Sequence, residues 1–449
     1  MNNDTILGVT TCLLLLASGN CLLRMTWTHR DTLRFQLRIF MIALLVRFAA
    51  SLAIYNFGFW SILGDADAIG WWFGDALRAQ WEAGHFNMLD VAFAWADAFR
   101  YSPTIGTFGQ ANHVGYYYLL GTVFYVIGAS SRLVAASING FAGALVVVFA
   151  YRTARTLFSE WVAVRVAWWT CLFPSMIIWS AQTVKEPVVI MLEVVALYCC
   201  LRLRKSGYAL RYVVLSGCAV ALMLPFRFYA AYIGMAAFAG VLLVPRGRRG
   251  GAKWSAVGLA AFIATIAIVA AVLVSSEARI DQFDLEFLQR FRHEIAEGTG
   301  SGVDLDIDMR TTTGFSVGTM VGAAHLLLAP FPWQLGGGSF RMLLTTPELV
   351  FWWWLFFVGV IPGARYAIQK QGPELLPVVL FIVGLGLLYS MTFGNIGLVF
   401  RQRAQLLPWL FILAGAGLEQ RAIRAAARKR FRYAPALPPR LPVGVNGRT

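Results

Sequence analysis

Gly64-Asp65-Ala66-Asp67 opens a polar stretch that runs to His113, in a chain that is otherwise almost continuous hydrocarbon. Carboxylates beside a bilayer are costly, so this interruption needs a reason. Around it the composition decides the class. Of 449 residues, 58% are hydrophobic and 14% charged, with a mean hydropathy of +0.64, more apolar side chain than one soluble core can bury. A spanning helix needs roughly 20 apolar residues, and such runs recur between charged clusters, whereas a lipid-facing barrel would alternate with period two. The pattern predicts an all-α polytopic membrane protein.

Other classes fall away. Cys12, Cys21, Cys171, Cys199, Cys200 and Cys218 lie in or at the ends of apolar runs without CxxC or metal-ligand spacing, so they indicate neither a disulfide framework nor a zinc site. The net charge of +15 sits in short loops and the tail, where the positive-inside rule and anionic headgroups of the lipid bilayer explain it; no nucleic acid partner is predicted.

Basic clusters at Arg24 to Arg38, Arg202 to Arg211, Arg246 to Lys253, Arg365 to Lys370 and Arg421 to Arg432 are all assigned to the cytoplasm. Ile6 to Leu23 has an acidic start and reads as an anchor with an outside N-terminus, not as a cleavable signal. Leu37 to Trp60 returns outward and leaves the Asp65 to His113 stretch outside. Four apolar runs follow before Arg202, namely Val114 to Ala129, Leu133 to Tyr151, Val162 to Ser180 and Val188 to Leu201, and parity requires that one of them not cross. Val114 to Ala129, short and rich in tyrosine at Tyr116 to Tyr118, is the choice, lying at headgroup level; a hairpin in another run repairs parity equally well. Later, Ser255 to Val274 exits, Phe315 to Trp333 stops short at Pro330-Phe331-Pro332, Leu349 to Pro362 re-enters, Leu375 to Phe393 exits and Leu406 to Leu418 returns. The sum is about eleven crossings with two partial segments. The division is a single transmembrane domain, 1–420, with a first outer loop at 63–113, a second at 276–347 containing the non-crossing apolar segment, and a basic cytoplasmic tail, 421–449. No internal repeat is visible, so a lipid or solute transporter of two-fold design lacks support.

This topology puts several costly polar groups on one outer side: Asp65 and Asp67, Lys185 and Glu186, Arg227 and Tyr229, and Arg401 and Arg403. Asp67 is followed by Ile69, Trp72, Phe73, Ala76, Leu77 and Trp81 at helical spacing, so it either caps an interfacial helix or takes part in chemistry. Asp65 lies outside that helix, where a carboxylate can take a proton from a hydroxyl or hold a divalent cation. Arginine forks match phosphate oxygens, and arginines on the outer side run against the positive-inside trend; lipid-headgroup anchoring is the plain alternative. Lys185 and Glu186 form either a local pair or a substrate contact. Asp304-Leu305-Asp306-Ile307-Asp308 has the early spacing of a calcium loop but lacks its glycine and closing glutamate. Trp352-Trp353-Trp354 reads as an interfacial aromatic belt.

These residues, together with Phe173-Pro174-Ser175-Met176-Ile177-Ile178-Trp179-Ser180 leading into Lys185-Glu186-Pro187 and the Asn395-to-Arg403 segment before Gln405 and Pro408, resemble the GT-C superfamily of integral membrane glycosyltransferases, which use polyprenyl-phosphate-linked sugars. The resemblance spans most of residues 60 to 410 and implies a helical bundle with interfacial helices in a large first outer loop. It implies catalytic roles for Asp65 as base, Asp67 as its helper and Glu186 as second acid, with Lys185, Arg227, Tyr229, Arg401 and Arg403 binding substrate. A divalent cation, magnesium or manganese, at Asp65 and Asp67 is left open. The partners implied are the lipid-linked sugar and a glycan, lipid or protein acceptor. The place implied is the outer face of a plasma membrane, a bacterial inner membrane. The nearest alternative is a polysaccharide polymerase or an enzyme like the O-antigen ligases, acting on a polyprenyl pyrophosphate.

Overall fold

Apolar runs bounded by charged residues become helices because a chain in hydrocarbon must satisfy its own backbone. The computed structural model describes residues 3–26, 30–65, 68–100, 114–206, 209–243, 285–297, 302–303, 306–335 and 346–432. Among these the protein is all helical apart from one isolated bridge between Gly302 and Asn395. Helices α1 (Asn3–Thr26) and α2 (Arg30–Asn56) pack on the buried α7 (Arg132–Leu157). Between them in sequence come α3 (Trp60–Leu63), α4 (Gly70–Ala83), α5 (Met88–Arg100) and α6 (Val114–Ile127). Then follow α8 (Glu160–Leu172), α9 (Pro174–Ser180), α10 (Glu186–Ser206) and α11 (Leu210–Leu243). The last third comprises α12 (Leu285–Glu297), α13 (Thr312–Leu328), α14 (Pro332–Leu335), α15 (Thr346–Leu355), α16 (Ile361–Gln371), α17 (Leu376–Met391) and α18 (Ile396–Arg432). A π-helical turn, Phe356–Val360, joins α15 to α16.

By length and composition five described helical stretches suffice to cross a bilayer, six if the bent α8–α9 pair is one span; one of the five lies in α11, which folds back on itself. The expected number of about eleven crossings is larger for three physical reasons. Glu186–Ser206 and Ile396–Arg432 carry charges that the bundle buries, α17 is short, and Ser255 to Val274 lies outside the described residues. The fifth apolar run of the sequence, Val162 to Ser180, is also broken. Pro174 lacks a donor and pushes Phe173 into an extended conformation, so α9 departs from α8 by 54°. Glu348 of α15 braces that break, accepting from the Ser175 N–H at 2.8 Å and its hydroxyl at 2.5 Å.

Helix α11 also reverses. Arg227 leaves helical geometry at φ −162°, ψ 85°, two residues after Pro225. Gly234 then lies against Met223 and Val220, a Cβ there standing 3.3 and 3.5 Å from their side chains. Residues so placed on either side of position 227 meet only if the chain folds back on itself, so Arg227 occupies a hairpin tip.

The bundle has two distinct ends. At one, Arg152 donates to Gln36 at 2.8 Å, Arg155 pairs with Glu160 at 2.8 Å, Lys205 approaches Glu374 at 4.0 Å, and Ser159 bonds Glu419. At the other, Asn56 bonds Thr5 at 2.8 Å and the turns at 65–68, 182–186 and 227 assemble. Helix α6 starts beside the tip at Pro225 and lies along α4, where Gly74 and Gly121 allow close approach.

Of three local features read from sequence, the aromatic belt is corrected. Helix α4 begins at Gly70 with Ile69 at its cap position and no side-chain bond from Ile69; Asp67 lies outside the described residues. Trp352 and Trp353 do not form a belt: their indole N–H groups donate to the carbonyls of Leu327 and Leu328 at 2.6 and 2.8 Å, satisfying the end of α13, and only Trp354 is exposed. In the segment with the early spacing of a calcium loop, Arg310 holds Asp308 at 2.8 Å and, chiefly through that hydrogen bond, keeps its carboxyl below the usual carboxylate range. Asp304 and Leu305 lie outside the described residues.

Candidate active site

The first polar stretch begins where α3 ends. Gly64 has no room for a side chain against Trp60, and the following Asp65 emerges with its side chain 15% exposed. Its carboxylate faces the Arg401 guanidinium of α18 across 3.9 Å, and Arg401, also 15% exposed, lies 5.8 Å from the ring centroid of Trp179 on α9. Three elements remote in sequence thus converge on one point. A second pair stands deeper. Arg227 at the hairpin tip donates to Glu186 at 3.1 Å and to the Tyr389 hydroxyl at 2.9 Å, with both charged side chains almost wholly buried. Tyr229 lies beneath the same guanidinium, its ring centroid 5.4 Å away. Lys185 is buried beside Glu186.

The structure therefore brings together Asp65 with Arg401, and Glu186 with Arg227 and Tyr229. Arg403 is directed elsewhere. Its guanidinium donates to the carbonyls of Leu326 at 2.7 Å and His325 at 3.2 Å, and to Ala329, closing the end of α13. Its charge is spent on backbone that a helix end leaves unpaired.

Other residues support the site without having been singled out from sequence. Gln405 bridges the Tyr389 hydroxyl at 2.8 Å and Glu193 at 2.9 Å. Glu193 is fully buried, and a carboxylate inside the run Val188 to Leu201 is a cost signal of the kind that marked Asp65. Gln182, Thr183 and Asn139 are neutral, and no such signal distinguishes them from other small polar groups in a helical bundle.

Among the described residues no three His, Cys, Asp or Glu side chains gather as a metal site. Two of the carboxylates at this end already face a guanidinium, Asp65 that of Arg401 and Glu186 that of Arg227. The described residues alone do not form a magnesium or manganese cage of several oxygen ligands. Asp67, the other expected ligand, is outside them.

The bundle is helical and bent at prolines, with Asp65, Glu186, Arg227 and Arg401 gathered at one end, and it is similar in fold to a solved member of the GT-C superfamily. Residues 114–274 match the sequence model of the family described as dolichyl-phosphate-mannose-protein mannosyltransferase. The archaeal oligosaccharyltransferase AglB from Archaeoglobus fulgidus, solved with an inhibitory peptide and a dolichol-phosphate, is similar in fold at TM-score 0.50 and 14% identity, over 91% of this chain and 52% of that one. The apo form of the Archaeoglobus fulgidus oligosaccharyltransferase gives TM-score 0.49 and 16% identity over 90% and 52%. Its complex with zinc and sulfate gives TM-score 0.47 and 15% identity over 87% and 50%. The chain spans about half the length of these proteins. No curated protein matches it in sequence.

Proposed function

We propose that the protein is a glycosyltransferase that moves a sugar from a polyprenyl-phosphate donor to an acceptor hydroxyl on the extracytoplasmic face of the plasma membrane. The observation that carries this reading is the Asp65–Arg401 pair: a carboxylate from the first loop that keeps some exposure, set against a guanidinium from the last helix. The matched family is named for a dolichyl-phosphate sugar, and a dolichol-phosphate is present in the fold relative. The orientation rests on the arginine-rich opposite end, which the positive-inside rule assigns to the cytoplasm.

In this mechanism the acceptor oxygen attacks the anomeric carbon while its proton passes to Asp65. The bond from that carbon to the phosphate oxygen breaks, and its electron pair leaves with the phosphate. Arg401 neutralises the charge that develops there. Glu186 and Arg227 hold the hairpin tip and the 182–186 turn against each other, and Tyr229 packs beneath them. Arg227 and Arg403 are already committed to Glu186 and to backbone carbonyls, which disfavours the pyrophosphate-dependent polymerase or ligase, where several arginines are needed for the leaving group.

The test is transfer by purified protein from a panel of radiolabelled polyprenyl-phosphate sugars, beginning with the mannose donor, to glycan, lipid and peptide acceptors. Asp65→Asn is expected to lower kcat by about 10²–10⁴-fold, the usual contribution of general-base catalysis. Arg401→Gln is expected to lose about 10²-fold or more, as when an electrostatic stabiliser is removed. Wild-type protein inactive with every donor, or an Asp65→Asn variant with unchanged transfer, overturns the reading.

A further inference from the structure

The described ends of the segment that carries Asp65, residues 65 and 68, are joined by a backbone bond. The Ala68 N–H donates to the Asp65 carbonyl at 3.0 Å, which ties residue i to i+3. Two backbone groups of this turn point outward, and adjacent residues of another loop take both. The Asp65 N–H donates to Gln182 Oε1 at 2.6 Å, and the Ala68 carbonyl accepts the Thr183 hydroxyl at 2.6 Å.

The residues that grip are themselves held. Gln182 Nε2 donates to the Ile178 carbonyl at 3.1 Å, which fixes the direction of its oxygen. The Thr183 N–H donates to the Tyr55 hydroxyl at 3.2 Å. Asn139 of α7 donates to the carbonyls of Gln182 and Val184 at 2.5 and 2.7 Å, setting the path of the loop on both sides of Thr183. Gln182, Thr183 and Asn139 are all fully buried, so water does not compete for these bonds. Gly70 closes the arrangement: a Cβ there would stand 2.8 Å from the Thr183 carbonyl and 2.4 Å from the Tyr116 ring, so only glycine lets α4 start flush against the loop.

We infer that Gln182 and Thr183 are positioning residues for the transfer reaction, clamping the Asp65–Ala68 turn at both ends so that Asp65 keeps a fixed distance from Arg401 and from Lys185-Glu186. The inference rests on the reading of Asp65 as the base. Its physical basis is the narrow tolerance of proton transfer: a base works within about 2.6–3.2 Å of the proton it takes. A displacement of about 1 Å costs on the order of 10²-fold. A turn held at one end alone can pivot by that much.

Thr183→Val removes the hydroxyl at nearly constant volume, Thr183→Ser keeps it, and Gln182→Met removes both amide contacts. Full-length protein is assayed for kcat and KM with whichever donor of the panel supports wild-type transfer, beside Asp65→Asn. Thr183→Val and Gln182→Met are expected to lower kcat about 10- to 100-fold, with KM for the donor within about twofold, and Thr183→Ser to restore wild-type kcat. Wild-type kcat in both Thr183→Val and Gln182→Met overturns the inference, as does an equal fall in Thr183→Ser. Failure of both apolar variants to insert assigns the bonds to folding and overturns it too. Transfer lost in Asp65→Asn but kept in the clamp variants defeats only the clamp, whereas transfer kept in Asp65→Asn defeats the functional reading beneath it.

Discussion

Two carboxylates at the same end of the bundle face arginines, and their surroundings give them different work. Asp65 and Arg401 stand 3.9 Å apart with side chains 15% exposed, whereas Glu186 and Arg227 touch at 3.1 Å with side chains 4% and 6% exposed. A loose, reachable pair can exchange its partner for a substrate; a closed one is a brace. Removing one member of a buried pair costs about 3–5 kcal/mol because the other charge is stranded, while replacing both by neutral groups is often harmless. Arg227→Met is therefore expected to melt early in detergent, and Glu186→Gln with Arg227→Met to recover most of the loss. Equal loss in the single and double variants would mean that the two side chains are not coupled. Charge in hydrocarbon is what made Asp65, Glu186, Arg227 and Arg401 legible in the sequence, since each needs a partner. The same argument marked Arg403 without revealing its destination, because a guanidinium is satisfied by backbone carbonyls as well as by anions. Asn139, Gln182 and Thr183 stayed illegible because burying a neutral side chain leaves no comparable trace in composition.

At the scale of elements, the helical class followed directly from the apolar runs, whereas their breaks did not. Val162 to Ser180 reads as one span, yet Phe173-Pro174 divides it, and the short α9 that results carries Trp179 to Arg401 and leads into the Gln182 turn. Pro174 is visible in the sequence, but a proline at this depth either kinks a helix or starts a new one, and Glu348 favours the second outcome. It accepts from both the N–H and the hydroxyl of Ser175, 173 positions earlier in the chain. Glu348→Ala leaves a buried N–H and hydroxyl unpaired, each costing about 1–3 kcal/mol. Thermal unfolding in detergent should show that loss, with Glu348→Gln much milder because an amide oxygen still accepts. A Glu348→Gln variant as unstable as Glu348→Ala would show that the carboxylate's charge, not its acceptor role, supports the break. The pair of variants separates hydrogen bonding from charge.

For the whole molecule, the division of charge between the two ends matters more than any single contact. Arg152, Arg155, Lys205, Glu160, Glu374 and Glu419 gather where α7, α10 and α16 finish and α8 and α17 begin, and α18 carries Arg421, Arg424 and Arg428 out beyond them. The Asp65 turn, the Gln182 loop and the hairpin tip occupy the other end, beside helices α4 and α5 with Trp72, Leu89 and Phe93 exposed. Under the rule that basic residues are retained in the cytoplasm, this polarity supports the orientation proposed above, with exposed aromatic and aliphatic faces at the outer end suited to the headgroup region. It also carries a mechanistic requirement: if the acceptor is extracytoplasmic, Asp65 must face that side. In a background with the native cysteines replaced, His85→Cys, between α4 and α5, is expected to react with a membrane-impermeant maleimide on intact spheroplasts. Arg424→Cys is expected to react only after permeabilisation. The reverse pattern would place the Asp65 turn in the cytoplasm, where the acceptor would have to be a cytoplasmic hydroxyl and the donor a lipid-linked sugar presented on the inner leaflet. Cysteines at both positions reacting in intact spheroplasts would instead break the link between charge and side on which the topology depends.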